Sequence, residues 1–364
     1  MTDHESCIAL NCISGIGYVT FSALVKHFGS PSKIAGHPMS DYLAVKRVGE
    51  KLACELERTD FELLMARERD LAMRQDVQII AITDPEYPSI LLDIPNPPIV
   101  LYVAGKLPSF DRSLGVVGSR EISSYAKEQT RSISFDAAAN GYVIVSGLAF
   151  GADKCAHTAA LDANGITVAV IGSGLSKIYP QEHTVLAKEI INSGGAVISE
   201  FPMQFPVMST GFPRRNRIIT GLSRGVLVTE AGLKSGAMIT AEYAQKFNRP
   251  LFALPGRVDN PNALGCLKLL KEGAELVTDF SDIAKKYGDT PANVKTADAQ
   301  PETPEFFSPE EEKIWQKLSF DGTSFDSLAI TLGMPAGDLT ANLISLEMRG
   351  LVENCSANTY RKKR

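Results

Sequence analysis

The sequence has little that would tie it to a metal, a membrane or a nucleotide cofactor. Its six cysteines stand far apart, at 7, 12, 54, 155, 266 and 355. There is no CxxC pair and no Cys/His cluster, which argues against a zinc site and suits a reducing cytoplasm. No apolar run approaches the length of a membrane span. The N-terminus, MTDHESCIALNC, lacks the basic start and long apolar stretch of a signal peptide. An excess of positive charge is also missing: 37 Lys+Arg against 42 Asp+Glu gives −5, so the chain is not a uniformly basic nucleic-acid coat. Neither GxGxxG nor GxxxxGK[ST] occurs. Gly172-Ser-Gly174 runs into Leu-Ser-Lys177, without the third glycine. NAD binding and ATP hydrolysis are therefore disfavoured, and no cofactor and no metal are expected.

What is present is a globular composition in 364 residues, enough for two or three domains. Charge is uneven. Residues 112–250 hold 14 Lys+Arg against 10 Asp+Glu, +4 within a chain of −5. Residues 1–75 read as short helices around two glycine turns, Ile13-Ser-Gly-Ile-Gly17 and Val45-Lys-Arg-Val-Gly49. They predict a small helical domain of the SAM or helix-hairpin-helix kind. The first turn either offers backbone N–H groups to a phosphate or lets two helices pack closely.

From 76 to 286, apolar strands of four or five residues alternate with helical patterns. Strands are expected at 77–82, 99–103, 114–117, 142–145, 167–171, 196–199, 226–229 and 251–254. Such a pattern predicts a Rossmann-like, doubly wound parallel sheet buried on both faces. Ligands of these sheets bind outside the C-terminal strand ends. Gly118-Ser-Arg120, Ser146-Gly147, Gly172-Ser-Gly174 and Lys234-Ser-Gly236 all follow strands and should converge on one edge. The stretch from Phe212 to Ala241 adds three arginines and an asparagine beside a helix start, a chemistry suited to phosphate.

The blocks closely resemble the DNA-processing protein A family (DprA, also called Smf). They are Val117-Gly-Ser-Arg120, Ser146-Gly-Leu-Ala-Phe-Gly-Ala-Asp153 with Ala156-His157, Ile171-Gly-Ser-Gly-Leu175 with Tyr179-Pro180, and Ser199-Glu200. Phe212-Pro-Arg-Arg-Asn-Arg-Ile-Ile219, Glu230-Ala231, Ser235-Gly236 with Ile239-Thr-Ala241, and Leu254-Pro-Gly256 continue the series. Two details depart from many members: Ser176 and His183 flank the Tyr-Pro block, where many have Asp and Asn, and Gly151-Ala-Asp153 replaces Gly-Ile-Asp. The resemblance implies a core that binds single-stranded DNA, dimerises, and loads the RecA recombinase onto incoming strands during natural transformation and homologous recombination. It implies no enzymatic activity.

The expected nucleic-acid ligands are Gly118, Ser119, Arg120, Ser146, Gly147, Phe212, Arg215, Asn216, Arg217, Lys234, Ser235 and Gly236. Several have a plainer reading. Arg120 could pair with Glu121. One of Arg215 and Arg217 could face the groove while the other pairs with an acid inside the fold. Asn216 could only hold its turn, and Ser146-Gly147 could simply make a tight strand-to-helix turn. Phe212 is either a base-stacking ring or a core residue. Asp153, His157 and Glu230 are expected to be structural, since no nucleophile with a positioned base is legible.

Residues 287–307 read as a flexible linker, with the stretch from Gly288 to Pro309 running GDTPANVKTADAQPETPEFFSP. Residues 308–364 predict three helices and a short hairpin, a winged helix. Its third helix, the usual DNA reader, holds only Arg349 beside Asp338 and Glu347, so protein binding is as good an expectation as DNA contact. Two rival functions remain open. A nucleoside-monophosphate-cleaving enzyme of the lysine-decarboxylase-like Rossmann type would carry PGGxGTxxE, where this chain has Gly232-Leu-Lys-Ser-Gly236. A winged-helix transcription regulator with a ligand-sensing core would bind one duplex sequence tightly.

Overall fold

The computed structural model describes residues 1–290, 308–319, 322–356 and 358–362. The chain divides into two compact units, Met1–Val294 and Lys295–Arg364.

The first unit opens with five helices: α1 (Asp3–Cys12), α2 (Tyr18–Phe28), α3 (Met39–Leu43), α4 (Glu50–Arg58) and α5 (Phe61–Met73). Local sequence explains where they begin. Thr2 accepts from Glu5 N while the Glu5 carboxylate accepts from Thr2 N, a reciprocal cap on α1. Asp60 caps α5 through Leu63 N. The glycines of the first turn do not serve helix packing: a Cβ at Gly15 or Gly17 would meet nothing within 4 Å. Gly15 is needed instead for its φ of 87°.

The remaining elements are β1 (Val77–Ala81), α6 (Ser89–Leu92), β2 (Val100–Gly105), β3 (Ser113–Val117), α7 (Ser124–Ala139), β4 (Val143–Ser146), α8 (Ala152–Asp162) and β5 (Thr167–Val170). They continue with α9 (Thr184–Asn192), β6 (Ala196–Ser199), α10 (Gly211–Leu222), β7 (Gly225–Val228), α11 (Gly236–Lys246), β8 (Leu251–Ala253), α12 (Leu264–Lys271), β9 (Glu275–Leu276) and α13 (Phe280–Tyr287). Among the described residues they form a sheet of order β1-β2-β6-β5-β4-β3-β7-β8-β9. From β6 to β9 every pairing is parallel. Strands β3 to β8 are buried throughout, which is why each reads as a continuous apolar run rather than an alternation.

At one edge the sheet is mixed, where the sequence predicts parallel pairing. Strand β2 runs antiparallel to both β1 and β6. The connection from β1 to β2 is proline-rich and holds only the single turn α6. A parallel return needs a crossover long enough to cover a sheet face; an antiparallel neighbour does not. Edge strand β9 was not visible as a pattern because it has only two residues.

Helices cover both faces. Leu114, Val116 and Ile144 pack with Ile133, Ala137, Ala156 and Phe280, from α7, α8 and α13. Val117, Val145 and Val226 pack with Ile218, Ala241 and Leu269, from α10, α11 and α12. Helices α1–α5 share a third apolar cluster with β1, β2, Ile190 and Val197. Chain order reverses between β3 and β7. The chain runs from β3 through β4 and β5 to β6 on one side, then starts again with β7, β8 and β9 on the other. That is the topological switch point, where strand-end loops diverge and leave a crevice.

The expected linker lies outside the described residues from 291 onward. Tyr287 still belongs to α13, and Gly288 ends that helix in the left-handed region at φ 69°.

In the second unit, α14 (Pro309–Lys317), β10 (Thr323–Ser324), α15 (Phe325–Leu332), α16 (Ala336–Met348), β11 (Val352–Ser356) and β12 (Thr359–Lys362) form a winged helix with sheet order β10-β12-β11. Its core is Ile314, Leu328, Leu339, Leu343, Leu346, Val352 and Tyr360. The open face of α16 carries Asp338, Ile344, Glu347 and Met348. Arg349 is turned onto Glu311 at 2.9 Å, so this face is acidic and apolar rather than cationic.

Candidate nucleic-acid interface

A groove of about 660 Å³ opens at the switch point. Its walls come from the turn after β3 (Gly118, Ser119, Arg120), the first turns of α10 (Phe212, Pro213, Asn216) and the β7–α11 turn (Lys234, Ser235, Gly236). Nine of the twelve expected residues line it. Ser146, Gly147 and Arg217 do not.

Arg120 and Lys234 are the cations presented to solvent here, both exposed. No carboxylate pairs with either among the described residues, and the reading of Arg120 as a partner of Glu121 is not realised. Arg120 instead lies over the Phe212 ring, 5.5 Å from its centroid, a cation–π contact that holds both groups at the rim. Phe212 is half-buried rather than a core residue, and its other neighbour is Tyr179, at 5.6 Å between centroids.

Two close approaches and a helix cap shape this edge. A Cβ at Gly118 would lie 2.6 Å from Ala152 Cβ and 2.7 Å from Thr229 Oγ1, so only glycine lets the β3 turn settle between β7 and α8. A Cβ at Gly211 would lie 2.1 Å from Gly172 O, so the start of α10 rests directly on the β5 turn. Ser235 accepts from Ala237 N at 3.3 Å and caps α11, whose first N–H groups then open toward the groove.

Arg215 and Arg217 are both internally paired, whereas the sequence left one of them for the groove. Arg215 is 6% exposed. It donates to Gly147 O and Val170 O through Nη1 and to Asn216 Oδ1 through Nε at 2.8 Å, and its Nη2 stands 3.7 Å from Asp153 Oδ2. Asp153 in turn accepts from Gly147 N at 3.1 Å and Ala149 N at 3.3 Å. Burial draws the Arg215 guanidinium below its ordinary pKa and pushes the Asp153 carboxyl up, while their mutual attraction opposes both shifts. Arg215 is thus a floor of the groove that ties the ends of β4 and β5 to the start of α8. Gly147 is glycine for the same reason, since a Cβ there would fall 2.2 Å from that guanidinium. Ser146 is fully buried and donates to Val116 O at 2.6 Å, which holds the tight turn.

Arg217 is ion-paired with Glu200, and Arg214 Nε lies 3.8 Å from the same carboxylate. Both line a separate cleft with Gly15–Thr20. Glu230 is committed to Ser123 N at 2.8 Å and Asn260 Nδ2 at 3.3 Å, so its carboxylate holds the start of α7. His157 is fully buried, with Nδ1 donating to Thr167 Oγ1 at 2.7 Å, because that hydroxyl is itself donated to Ile144 O.

Burial, with Arg215 and His183 adding to it, pulls His157 down to a pKa of about 3. The unfolded chain takes up this proton near 6.5, so the native state excludes it. The stability that neutral His157 contributes is complete above about pH 6.5 and is lost as pH falls toward 3, by at most about 1.4 kcal/mol per pH unit. Urea midpoints measured from pH 7 to pH 4 should therefore decline, and His157→Gln should flatten that decline. An unchanged slope in the variant would place the excluded proton elsewhere.

Two exposed aromatics at this edge, Tyr179 and Phe150, were not assigned a role from sequence. An aromatic set between turn residues just beyond a buried strand was the available signal.

Compared with known proteins, residues 78–288 match the family model described as DNA recombination-mediator protein A, and residues 295–358 match the DprA winged helix domain. The chain is 36% identical over 324 residues to Protein Smf of Synechocystis, covering 80% of this chain and 81% of that one. The X-ray structure of DNA processing protein A from Streptococcus pneumoniae is similar at a TM-score of 0.67 and 30% identity, over 79% of this chain and 98% of that one. A DNA processing protein A from Helicobacter pylori, described for its single-stranded DNA binding mode, is similar at a TM-score of 0.52 and 31% identity, over 58% of this chain and 95% of that one. A match spanning the whole sheet and its strand-end turns, with a relative aligned over most of both chains, places this chain in the DNA recombination-mediator protein A (DprA/Smf) family.

Proposed function

We propose that this chain binds single-stranded DNA in the switch-point groove, without catalysing a reaction on it, and delivers the strand to the RecA recombinase. The observation that carries this reading is the pair of unneutralised cations, Arg120 and Lys234, facing an open groove with the Phe212 ring between turns that expose backbone N–H groups. A groove of this kind takes a phosphate backbone with bases against its aromatic rim. The Helicobacter pylori relative's single-stranded DNA binding mode supports it, and the family's description as a recombination mediator supports RecA as the receiving partner. A homodimer formed through the Rossmann-like core would align two grooves on one strand and raise avidity without new contacts. The setting proposed is the cytoplasm of a cell taking up DNA by natural transformation, which suits six free thiols. The rival nucleoside-monophosphate chemistry gains no support: Asp153, the acid that lines the groove, is held by Arg215, Gly147 N and Ala149 N, and Glu230 is occupied by Ser123 and Asn260.

The test is a salt series with the full chain, comparing oligo(dT) with a matching duplex. If two to four phosphates are neutralised, log K against log salt should fall with a slope of about −1.4 to −2.8 for the single strand. Single-strand affinity should exceed duplex affinity at every salt concentration. Base release from a panel of nucleoside monophosphates, or duplex affinity that matches or exceeds single-strand affinity, would end this reading.

A further inference from the structure

Phe150 stands on the turn between β4 and α8, with 42% of its surface exposed. A single exposed phenylalanine is ordinary on a protein surface. The turn that carries this one is not. Leu148 has φ 58°, the left-handed region that a branched side chain enters only when its surroundings enforce it. Its carbonyl accepts from His183 Nδ1 at 2.8 Å. Ala149 N and Gly147 N both donate to the buried Asp153 carboxylate. Gly151 has φ 71° and lies so close to the β3 turn that a Cβ would fall 2.2 Å from Ser119 O and 2.6 Å from Arg120 O. Ala152 N donates to Ser119 O at 3.1 Å. Four anchors and a strained residue thus hold a turn whose large outward side chain is Phe150, braced on one side by the His183 ring at 4.7 Å.

The position of this ring relative to the groove decides what it is for. Its neighbour Ala149 lines the groove itself. The next residue but one, Ala152, is bonded to the turn that carries Arg120. Phe150 leads into α8, which packs on one face of the sheet. Phe212 belongs to α10, on the opposite face. A strand laid across the C-terminal ends of β3 and β4, with a phosphate at Arg120, therefore has two aromatic platforms within its path. One is the Phe212–Tyr179 pair. The other is Phe150.

We propose that Phe150 is a second base-stacking platform for single-stranded DNA, distinct from Phe212. This rests on the reading of the groove as a single-strand site. Stacking on a ring ignores base identity, because every base has a π-face, and it requires the base but not the phosphate.

The test compares the full chain with Phe150→Ala, Phe150→Leu and Phe150→Tyr, on oligo(dT) and on an abasic strand of the same length. Phe150→Ala and Phe150→Leu should each lose about 5- to 150-fold in affinity for oligo(dT), the equivalent of about 1–3 kcal/mol per stacked base. Both should bind the abasic strand as the parent does, and Phe150→Tyr should retain parental affinity for both. Leucine keeps apolar cover over His183, so a loss shared by Ala and Leu but not Tyr is not a folding defect. Unchanged oligo(dT) affinity in the Ala and Leu variants overturns the proposal, as does an equal loss on the abasic strand. A change confined to self-association also overturns it and marks Phe150 as a protein contact. Failure of the parent chain to bind oligo(dT) is a different result: it defeats the groove reading itself.

Discussion

Replacing Arg215 by methionine is expected to destabilise the first unit by about 3–5 kcal/mol, the cost of breaking a buried ion pair from one side. Methionine matches much of the volume, so the loss comes from the groups left behind. Asp153 would keep a buried carboxylate without its cation. Gly147 O and Val170 O would lose their donor at the ends of adjacent strands β4 and β5. Arg215→Lys should rescue only part of the loss, because an ammonium cannot reach two carbonyls, an amide oxygen and a carboxylate with one planar fork. Combining Arg215→Met with Asp153→Asn should cost less than the two single losses summed, since no unpaired charge remains. Urea unfolding of Arg215→Met, Arg215→Lys, Asp153→Asn and the double variant checks this. A loss below about 1 kcal/mol in Arg215→Met, the range of an exposed ion pair, would show that the guanidinium does not support the groove from within.

The arginine block shows where the sequence stopped being sufficient. Its neighbourhood was legible: strands within a residue or so of their observed limits, glycine turns at the C-terminal ends, and an α/β sheet whose turns had to converge. Which arginine faces outward was not. The acids that claim Arg215 and Arg217 are Asp153, on a helix two strands earlier, and Glu200, just past β6. Neither lies at a spacing that a helical or strand period reveals. Ser146 was left open between ligand and turn for a related reason. At the last position of a strand buried on both faces there is no alternation to mark inside from outside, and Val116 O takes its hydroxyl. The antiparallel edge escaped because four or five apolar residues look alike in either direction, and only the length of the β1–β2 connection distinguishes them. The winged helix was legible through its helix lengths and caps. The scarcity of basic residues on its third helix carried over directly into an acidic and apolar face on α16.

Charge reversal at Arg120 is expected to be the most damaging single change to single-stranded DNA binding, lowering affinity on the order of 100-fold at modest salt, the loss of one charge-assisted phosphate contact plus a new repulsion. The geometry separates this residue from the other arginines. Arg120 has no carboxylate partner among the described residues, so Arg120→Glu removes no internal pair, and its contact with Phe212 lies at the rim. Stability should therefore change by less than about 0.5 kcal/mol, as for an ordinary surface substitution. The salt slope should become shallower by about 0.7 for each phosphate no longer neutralised. Lys234→Glu should act in the same direction, more weakly, because its flexible point charge sits beside helix N–H groups that still attract the strand. Arg217→Glu gives the contrast. It places a second carboxylate against Glu200, so stability should fall with little change in the affinity of the folded fraction. Fluorescence anisotropy with oligo(dT), paired with thermal melting of each variant, reads both quantities. Parental affinity in a folded Arg120→Glu variant would mean that the strand does not pass the β3 turn, and the groove at the switch point would then not be its path.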